Sequence, residues 1–415
     1  VWVAVLLIAS DAYAADYYVS SSAGSNLNIG TEARPFKNVS TWTSPASPLA
    51  GNKLKPGDRV FFKRGDEWTG LDAQWNITAS GAAGSPITFD VYGTGANPLF
   101  TGAKTAAAIG NGADTWTQYS SNPKIWVNIA GSVNWDCRVV VEDGTKPLWR
   151  AGGVTTSNGT LSAMKRGTFY SDGSKLYVWT TNDQRPDAHT IYIGMNPTDH
   201  AWRGLVKVKP DGGSSYIIFK NLDVRMSNSQ GFSSSGEHQE FWDCNSSFNA
   251  KDGFAFHKYY VQAPGAQYNR AYNCTAANNA IAGGDNGSGF TIQTPYTWLY
   301  NCVSGDNGMA GIDFLDFNSS TDVHHSGAYN CTALNNGKSS TTINNFEPGI
   351  YINGGRDILL YNCIVGNNGM DANREKLYPA PGITVDVEPS GFSSGKRPDN
   401  INIINCVSYN NLGEA

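Results

Sequence analysis

Residues suited to chemistry in this 415-residue chain gather around short blocks of glycine followed by alternating apolar residues. The blocks are Gly253-Phe-Ala-Phe256, Gly289-Phe-Thr-Ile292, Gly311-Ile-Asp-Phe314, Gly349-Ile-Tyr-Ile352 and Gly382-Ile-Thr-Val385, with Gly231-Phe232 ahead of them. Alternation with period two, bounded by Gly, Asn, Asp and Ser, is strand signal. If the first apolar residue of each block points inward, the next points outward, and two exposed columns are expected. One holds Ser233, Ala255, Thr291, Asp313, Tyr351 and Thr384. The other holds Ser235, His257, Gln293, Leu315, Asn353 and Asp386. Lys258 and Asp316 stand at strand ends, and Glu388 follows Asp386.

These groups support acid–base chemistry. His257, Lys258 or Tyr351 could take a proton, a lysine doing so only with its pKa lowered by neighbours or desolvation. Asp252, Asp285, Asp313 and Asp316 offer the oxygen ligands that Ca2+ prefers. His257, Lys258, Asp313 and Tyr351 form the candidate catalytic set, with Gln293, Asn353, Asp386 and Glu388 as substrate-binding groups and Asp252, Asp285 and Asp316 as metal ligands. Each also has a plainer reading, since Asp in a Gly/Asn-rich segment forms turns and a single His often packs. The tandem His324-His325 lies ahead of the next repeat, with no third ligand at metal spacing in the sequence.

What positions these columns is a second repeat, in phase with the first. Asp243-Cys244, Asn273-Cys274, Asn301-Cys302, Asn330-Cys331, Asn362-Cys363 and Asn405-Cys406 recur at spacings of 30, 28, 29, 32 and 43 residues. Phe219-Lys-Asn-Leu222 is an earlier unit, 22 residues before Cys244, as Gly231 is 22 before Gly253. Phased strand signals without a 3.6-residue apolar face describe stacked turns, each too small to bury its own core. The fold class is therefore all-β, a right-handed parallel β-helix solenoid over residues 216–411. An Asn at each bend tolerates left-handed backbone and can bond to its copy in the next turn, leaving Asp243 at the start of its ladder. The cysteines point inward with parallel Cβ vectors, which opposes disulfide geometry, so buried thiols are expected. The aromatic column Trp242, Tyr272, Tyr300, Tyr329 and Tyr361 has two readings, a stacking platform for sugar rings or a ladder stacked on itself.

Residues 15–102 read as a cap and first turns. Within them Tyr17-Tyr-Val-Ser20, Gly30-Thr-Glu-Ala-Arg-Pro-Phe36 and Leu54-Lys-Pro-Gly-Asp-Arg-Val-Phe-Phe-Lys-Arg-Gly-Asp-Glu-Trp68 resemble the opening of the secreted right-handed β-helix superfamily, the pectate-lyase-like proteins. The resemblance covers residues 16–102 and the repeats 216–411. Many members are polysaccharide lyases or glycoside hydrolases, with a cleft along such a sheet. It therefore implies a polysaccharide partner, cleaved by β-elimination at a uronic acid with Ca2+ as the possible cofactor. Hydrolysis by two carboxyls drawn from Asp313, Asp316, Asp386 and Glu388 is the alternative, and a non-catalytic adhesin-type scaffold is a third reading.

Between these parts, residues 103–205 break the pattern. Asp143-Gly144 and Asp172-Gly173 are hairpin turns, and an antiparallel β insertion packed on the early turns is expected. Residues 206–415 carry the remaining turns. The apolar run Val1–Ile8 followed by Ala12-x-Ala14 reads as the end of a signal peptide over residues 1–14, so a secreted or periplasmic protein is expected, given as a fragment of a longer one. The run is too short to span a membrane. Charged residues are 16% and the net charge is −5, which gives no footing for nucleic acid.

Overall fold

The computed structural model describes residues 14–39, 53–110, 116–128, 137–151, 160–195, 204–208, 214–257, 266–282, 287–317, 321–338, 348–369, 380–387, 391 and 393–412. The signal-peptide reading falls on residues 1–14, of which all but Ala14 lie outside that set. Among the described residues the chain winds through three parallel sheets of ten, nine and eight strands. We call them sheets I, II and III. One complete turn runs Gln239–Trp242 in sheet I, Asn245–Ser247 in sheet II and Phe254–Phe256 in sheet III. Arg270–Tyr272 then returns to sheet I, beside Gln239–Trp242. The sequence repeat maps onto this winding, with the Asn-Cys pairs ending sheet I and the Gly blocks opening sheet III.

The core is a set of side-chain columns. Phe219 stacks on Phe241 at 4.9 Å, and Phe232, Phe254 and Phe290 stack at 4.9 Å per step. Further along, Ile312 and Ile350 continue the second column, and both are fully buried. Cys244, Cys274, Cys302, Cys331 and Cys363 are buried and reduced; Cys406 in the last turn is also a free thiol and half-buried. Five of the six, fully buried, pack as small apolar side chains, and burial pushes the Cys274 thiol well above its ordinary pKa.

Two asparagine ladders turn the corners. At the corner between sheets I and II, Asn273, Asn301, Asn330, Asn362 and Asn405 all have φ between 52° and 60°. Each donates its amide to the residue before it, beginning with Asn273 to Asp243 at 3.1 Å. At the corner between sheets II and III runs a ladder that the sequence reading did not single out. It comprises Asn249, Asn279, Asn307, Asn336, Asn368 and Asn411, each five residues after a repeat cysteine. Asn307 shows the pattern: its Oδ1 accepts from Asn279 N and Nδ2, and its Nδ2 donates to Ala276 O, Ser304 Oγ and Asn336 Oδ1. The Gly blocks follow from this corner, since a Cβ on Gly253 would lie 2.8 Å from both Asn279 Nδ2 and Gly289 O.

The insertion is one eight-stranded sheet. It is mixed rather than purely antiparallel, because Lys146–Arg150 and Thr168–Ser171 run parallel. Its core includes Val140, Leu148, Phe169, Val178 and Ile193, and packs on Met226, Ala250 and Ile281 of the solenoid. The sheet leaves at a corner between sheets II and III. Trp75–Ile77 therefore pairs directly with Val206–Val208 of the next turn, and the solenoid is continuous past it.

These two ladders predict different mutational costs. Asn307→Ala strands several buried donors and acceptors and should lower stability by about 3 kcal/mol or more. Asn301→Ala sits on an exposed ladder and should cost about 1–2 kcal/mol, mainly through its left-handed backbone. Urea midpoints of the two variants check the ordering, and equal losses would contradict it.

Candidate functional site

The outward face of sheet III carries the predicted columns in register. Asn76, Lys207, Ser233, Ala255, Thr291, Asp313, Tyr351 and Thr384 are successive Cα partners. Leu315, Asn353 and Asp386 are partners in the second column. The expectation that these columns are exposed needs correction. Ser233, Ala255, Thr291, Asp313, Thr384, His257, Gln293, Leu315 and Asn353 are all buried. Tyr351 is half-buried, and Asp386 alone of the two columns' described members is exposed. The face is a covered, polar strip. Lys207 is also buried in it. It was missed because its strand precedes the Gly-block repeat and has no Gly of its own in phase.

His257 and Asp252 belong to one buried network. Asp252 Oδ1 accepts from Ser288 N at 2.9 Å and from the Thr291 hydroxyl, while Oδ2 accepts from Gln230 Nε2 at 3.1 Å. His257 Nε2 lies 2.6 Å from Gln230 Nε2, and Nδ1 lies 3.0 Å from Gln293 Oε1. A neutral imidazole with its proton on Nδ1 satisfies both contacts, donating to Gln293 and accepting from Gln230. Burial lowers the His257 pKa, against the opposing pull of the Asp252 carboxylate. Gln230, Asp252 and Ser288 occupy the same position, directly before the block glycine, in three successive turns. Stacking at one position is thus what brings the network together.

Asp316 lies at the end of its strand, almost fully buried. The Lys396 ammonium is 2.9 Å from its Oδ1 and donates to Thr321 O at 2.7 Å. The sequence suggested a calcium ligand here, and the structure places a lysine against it. Lys258, Asp285 and Glu388 lie outside the described residues. In the insertion, Glu142, Asp143 and His189 bring ligand atoms within 4.8 Å of one another, a set that could hold a metal ion. Lys146 already stands 3.2 Å from both carboxylates, and His189 Nδ1 is 3.0 Å from Asp143.

The aromatic column on sheet I stacks on itself. Trp242 and Tyr272 are 3.8 Å apart and Tyr272 and Tyr300 5.0 Å, both near-parallel, with Tyr329 and Tyr361 continuing the column. Ring faces spent on one another leave edges for solvent. A second column, Tyr216, His238, Tyr268, Tyr296 and His325, stacks at the corner leading into sheet I. Every member has φ between 50° and 57°.

No family model matches the chain, and no curated protein matches it. Solved structures do. A lacto-N-biosidase from Eubacterium ramulus superposes with a TM-score of 0.50 at 12% identity, over 95% of this chain and 56% of that one. A pectate lyase gives 0.49 at 14% identity, over 97% and 78%, and an alginate lyase from a Paenibacillus 0.42 at 10%, over 97% and 99%. The chain thus spans little more than half the length of the lacto-N-biosidase. At such identities the likeness is one of fold, and the fold is the parallel β-helix.

Proposed function

We propose that the chain is an exported carbohydrate-active β-helix protein that binds a polysaccharide at the part of sheet III where Tyr351 and Asp386 reach the surface and cleaves it by β-elimination at a uronic acid. The observation that carries this reading is the register of Asp313 with Tyr351 on adjacent strands, about 4.8 Å apart. They lie within a polar strip far richer in function than a structural face requires. The β-helix fold shared with solved pectate and alginate lyases is consistent with it.

Elimination needs a base for the C5 proton and a positive charge against the uronate carboxylate. His257, neutral and bonded through both ring nitrogens, is a positioning residue here, and Tyr351 takes the role of base. Once Tyr351 has given its own proton to water, its oxygen takes the C5 proton. The electron pair forms the C4–C5 double bond as the bond from C4 to the glycosidic oxygen breaks, and water protonates the departing oxygen. Asp313, in register with Tyr351, would orient that side chain, while Asn353 and Asp386, in register on adjacent strands, are the hard oxygen donors that would hold Ca2+, which supplies charge neutralisation when bound. Asp252 is committed to its own hydrogen bonds and Asp316 to Lys396. The hydrolytic alternative is less well served. Asp313 and Asp386 stand two strands apart, about 9–10 Å along the axis, and two residues out of register along the strands, which exceeds both the ~5 Å of a retaining pair and the ~6.5–9.5 Å of an inverting pair.

Asp313→Asn and Tyr351→Phe should each lower turnover at least ~100-fold, the lower end for positioned acid–base groups, with the solenoid intact by circular dichroism. The assay is the ultraviolet absorbance of unsaturated product on a panel of uronic-acid polymers. Parent-like turnover in both variants would move the site. New reducing ends without that absorbance would indicate hydrolysis, and no cleavage at all would favour a scaffold.

The His257 environment makes a separate prediction about pH. Its folded pKa is depressed below the ordinary 6.5, so the unfolded chain binds the proton more readily. Its contribution is complete above about pH 6.5 and falls away as the pH drops below it. His257→Gln should therefore flatten the decline in melting temperature between about pH 7 and pH 5, and a parallel decline in parent and variant would contradict the assignment.

A further inference from the structure

Three tryptophans of the insertion, Trp126, Trp149 and Trp179, are half-buried. Two of them are engaged. Arg185 lies over the Trp126 ring at 5.2 Å, and the Trp179 indole N–H donates to Asp183 at 2.7 Å. Trp149 is different. Among the described residues its ring stacks on no other, and its indole N–H, which is not sealed from solvent, donates to no acceptor. A large ring held in place with its polar handle unspent is suited to a partner that is apolar on one face and hydroxylated at its rim.

The solenoid fixes where this ring stands. Leu148 and Phe169 of the insertion pack with Ala250 and Ile281 of the solenoid, and Arg150 N donates to Ile281 O at 3.5 Å. Trp149 reaches the following turn at Gly308, where a Cβ would lie 3.0 Å from the indole Cζ3 and 2.5 Å from Ala280 O. Glycine at that corner seats the benzo edge, and the N–H lies on the far edge of the ring. The same turn runs on through Gly311 into Ile312–Leu315 of sheet III, the strand that carries Asp313. The five residues from Gly308 to Asp313 span at most about 17 Å, and Tyr351 is one strand further. Trp149 therefore stands on the insertion side of the strip, at the turn next to Tyr351.

From this placement we infer that Trp149 is a sugar-stacking residue for the polysaccharide proposed above, gripping a ring of the polymer some units away from the bond that breaks. The inference rests on that reading of sheet III. The C–H face of a pyranose is apolar and slightly positive, which matches the negative face of an indole, and the N–H can donate to a hydroxyl at the sugar's rim. A ring already seated against Gly308 loses little freedom when the sugar arrives. Trp149 stays clear of the reacting atoms, so it binds ground state and transition state alike and acts on KM rather than on kcat. Only a chain long enough to reach from Tyr351 to Trp149 gains from it. The insertion thus makes this a site for long chains rather than short oligomers.

Affinity electrophoresis of the full chain in gels containing polygalacturonate or alginate, with turnover measured on the same polymers, tests this. Trp149→Ala should weaken retention at least ~10-fold, the scale of an aromatic anchor, and raise KM by a similar factor while kcat moves less than ~2-fold. On the corresponding trisaccharides, too short to span the distance, parent and variant should match. Trp149→Phe keeps an aromatic face against Gly308 and should recover most of the affinity. Trp179→Phe, whose N–H is already spent on Asp183, should bind as the parent does. A parent-like KM in Trp149→Ala, on a polymer that the parent cleaves, would overturn the inference and leave the reaction standing. An equal loss in Trp149→Phe or in Trp179→Phe would also overturn it. A parent that neither binds nor cleaves either polymer would overturn both the inference and the reading beneath it.

Discussion

Every turn of this solenoid must bend three times between flat strands without leaving backbone groups unpaired in the interior. The buried ladder from Asn249 to Asn411 meets that demand at the corner between sheets II and III. A buried amide without partners would cost roughly 1–3 kcal/mol. Here the inner members, such as Asn279, Asn307 and Asn336, cap the backbone of the preceding turn's corner and bond to their copies in the turns before and after. The left-handed residue that makes the bend sits just before it, as in Asp306-Asn307 and Asn335-Asn336. The spacing of the strands, the glycines opposite and the alignment of the outward columns all follow from this corner. A polar feature therefore sets the frame, and the phenylalanine and isoleucine columns fill it.

Much of the architecture was legible because a solenoid writes its three-dimensional neighbours into its period. Asn-Cys and Gly-block phasing located sheets I and III, and the register of Thr291, Asp313 and Tyr351 followed from alternation alone. The buried asparagines had an equally regular spacing from the cysteines. They escaped notice because Asn-Asn and Asp-Asn pairs read as ordinary turn composition, and only burial distinguishes a ladder from a surface turn. The same limit explains the outward strip. Alternation says which way Asp313 points, but nothing local says whether that side meets solvent.

The pairings within the candidate site were harder still to read. Lys396 reaches Asp316 across 80 residues and two full turns of the solenoid, and no sequence spacing announces it. His257 drew attention as a rare titratable group, yet its partners Gln230 and Gln293 sit one turn to either side and decide its state. His324 and His325 show the opposite case. The strand rule would have parted them, and the left-handed backbone at His325 undoes that rule, leaving their Nδ1 atoms 2.8 Å apart. Its warning sign was positional, since His325 occupies the column of Tyr216, His238, Tyr268 and Tyr296.

The insertion enters and leaves the solenoid almost at one point. Met195 N donates to Gly102 O, and Ala103 pairs with Gly194. Over ninety residues thus depart and return with their ends closed by the insertion's own edge strands. For the growing helix, such a segment costs little in loop-closure entropy once it has folded, because the distance still to be spanned is that of an ordinary corner. The strand Trp75–Ile77 can then wait for Val206–Val208 as it would for any neighbour. Corners of this kind are where a solenoid can gain or lose whole modules while its register stays untouched, so new surface can be added beside the strip without renegotiating the core.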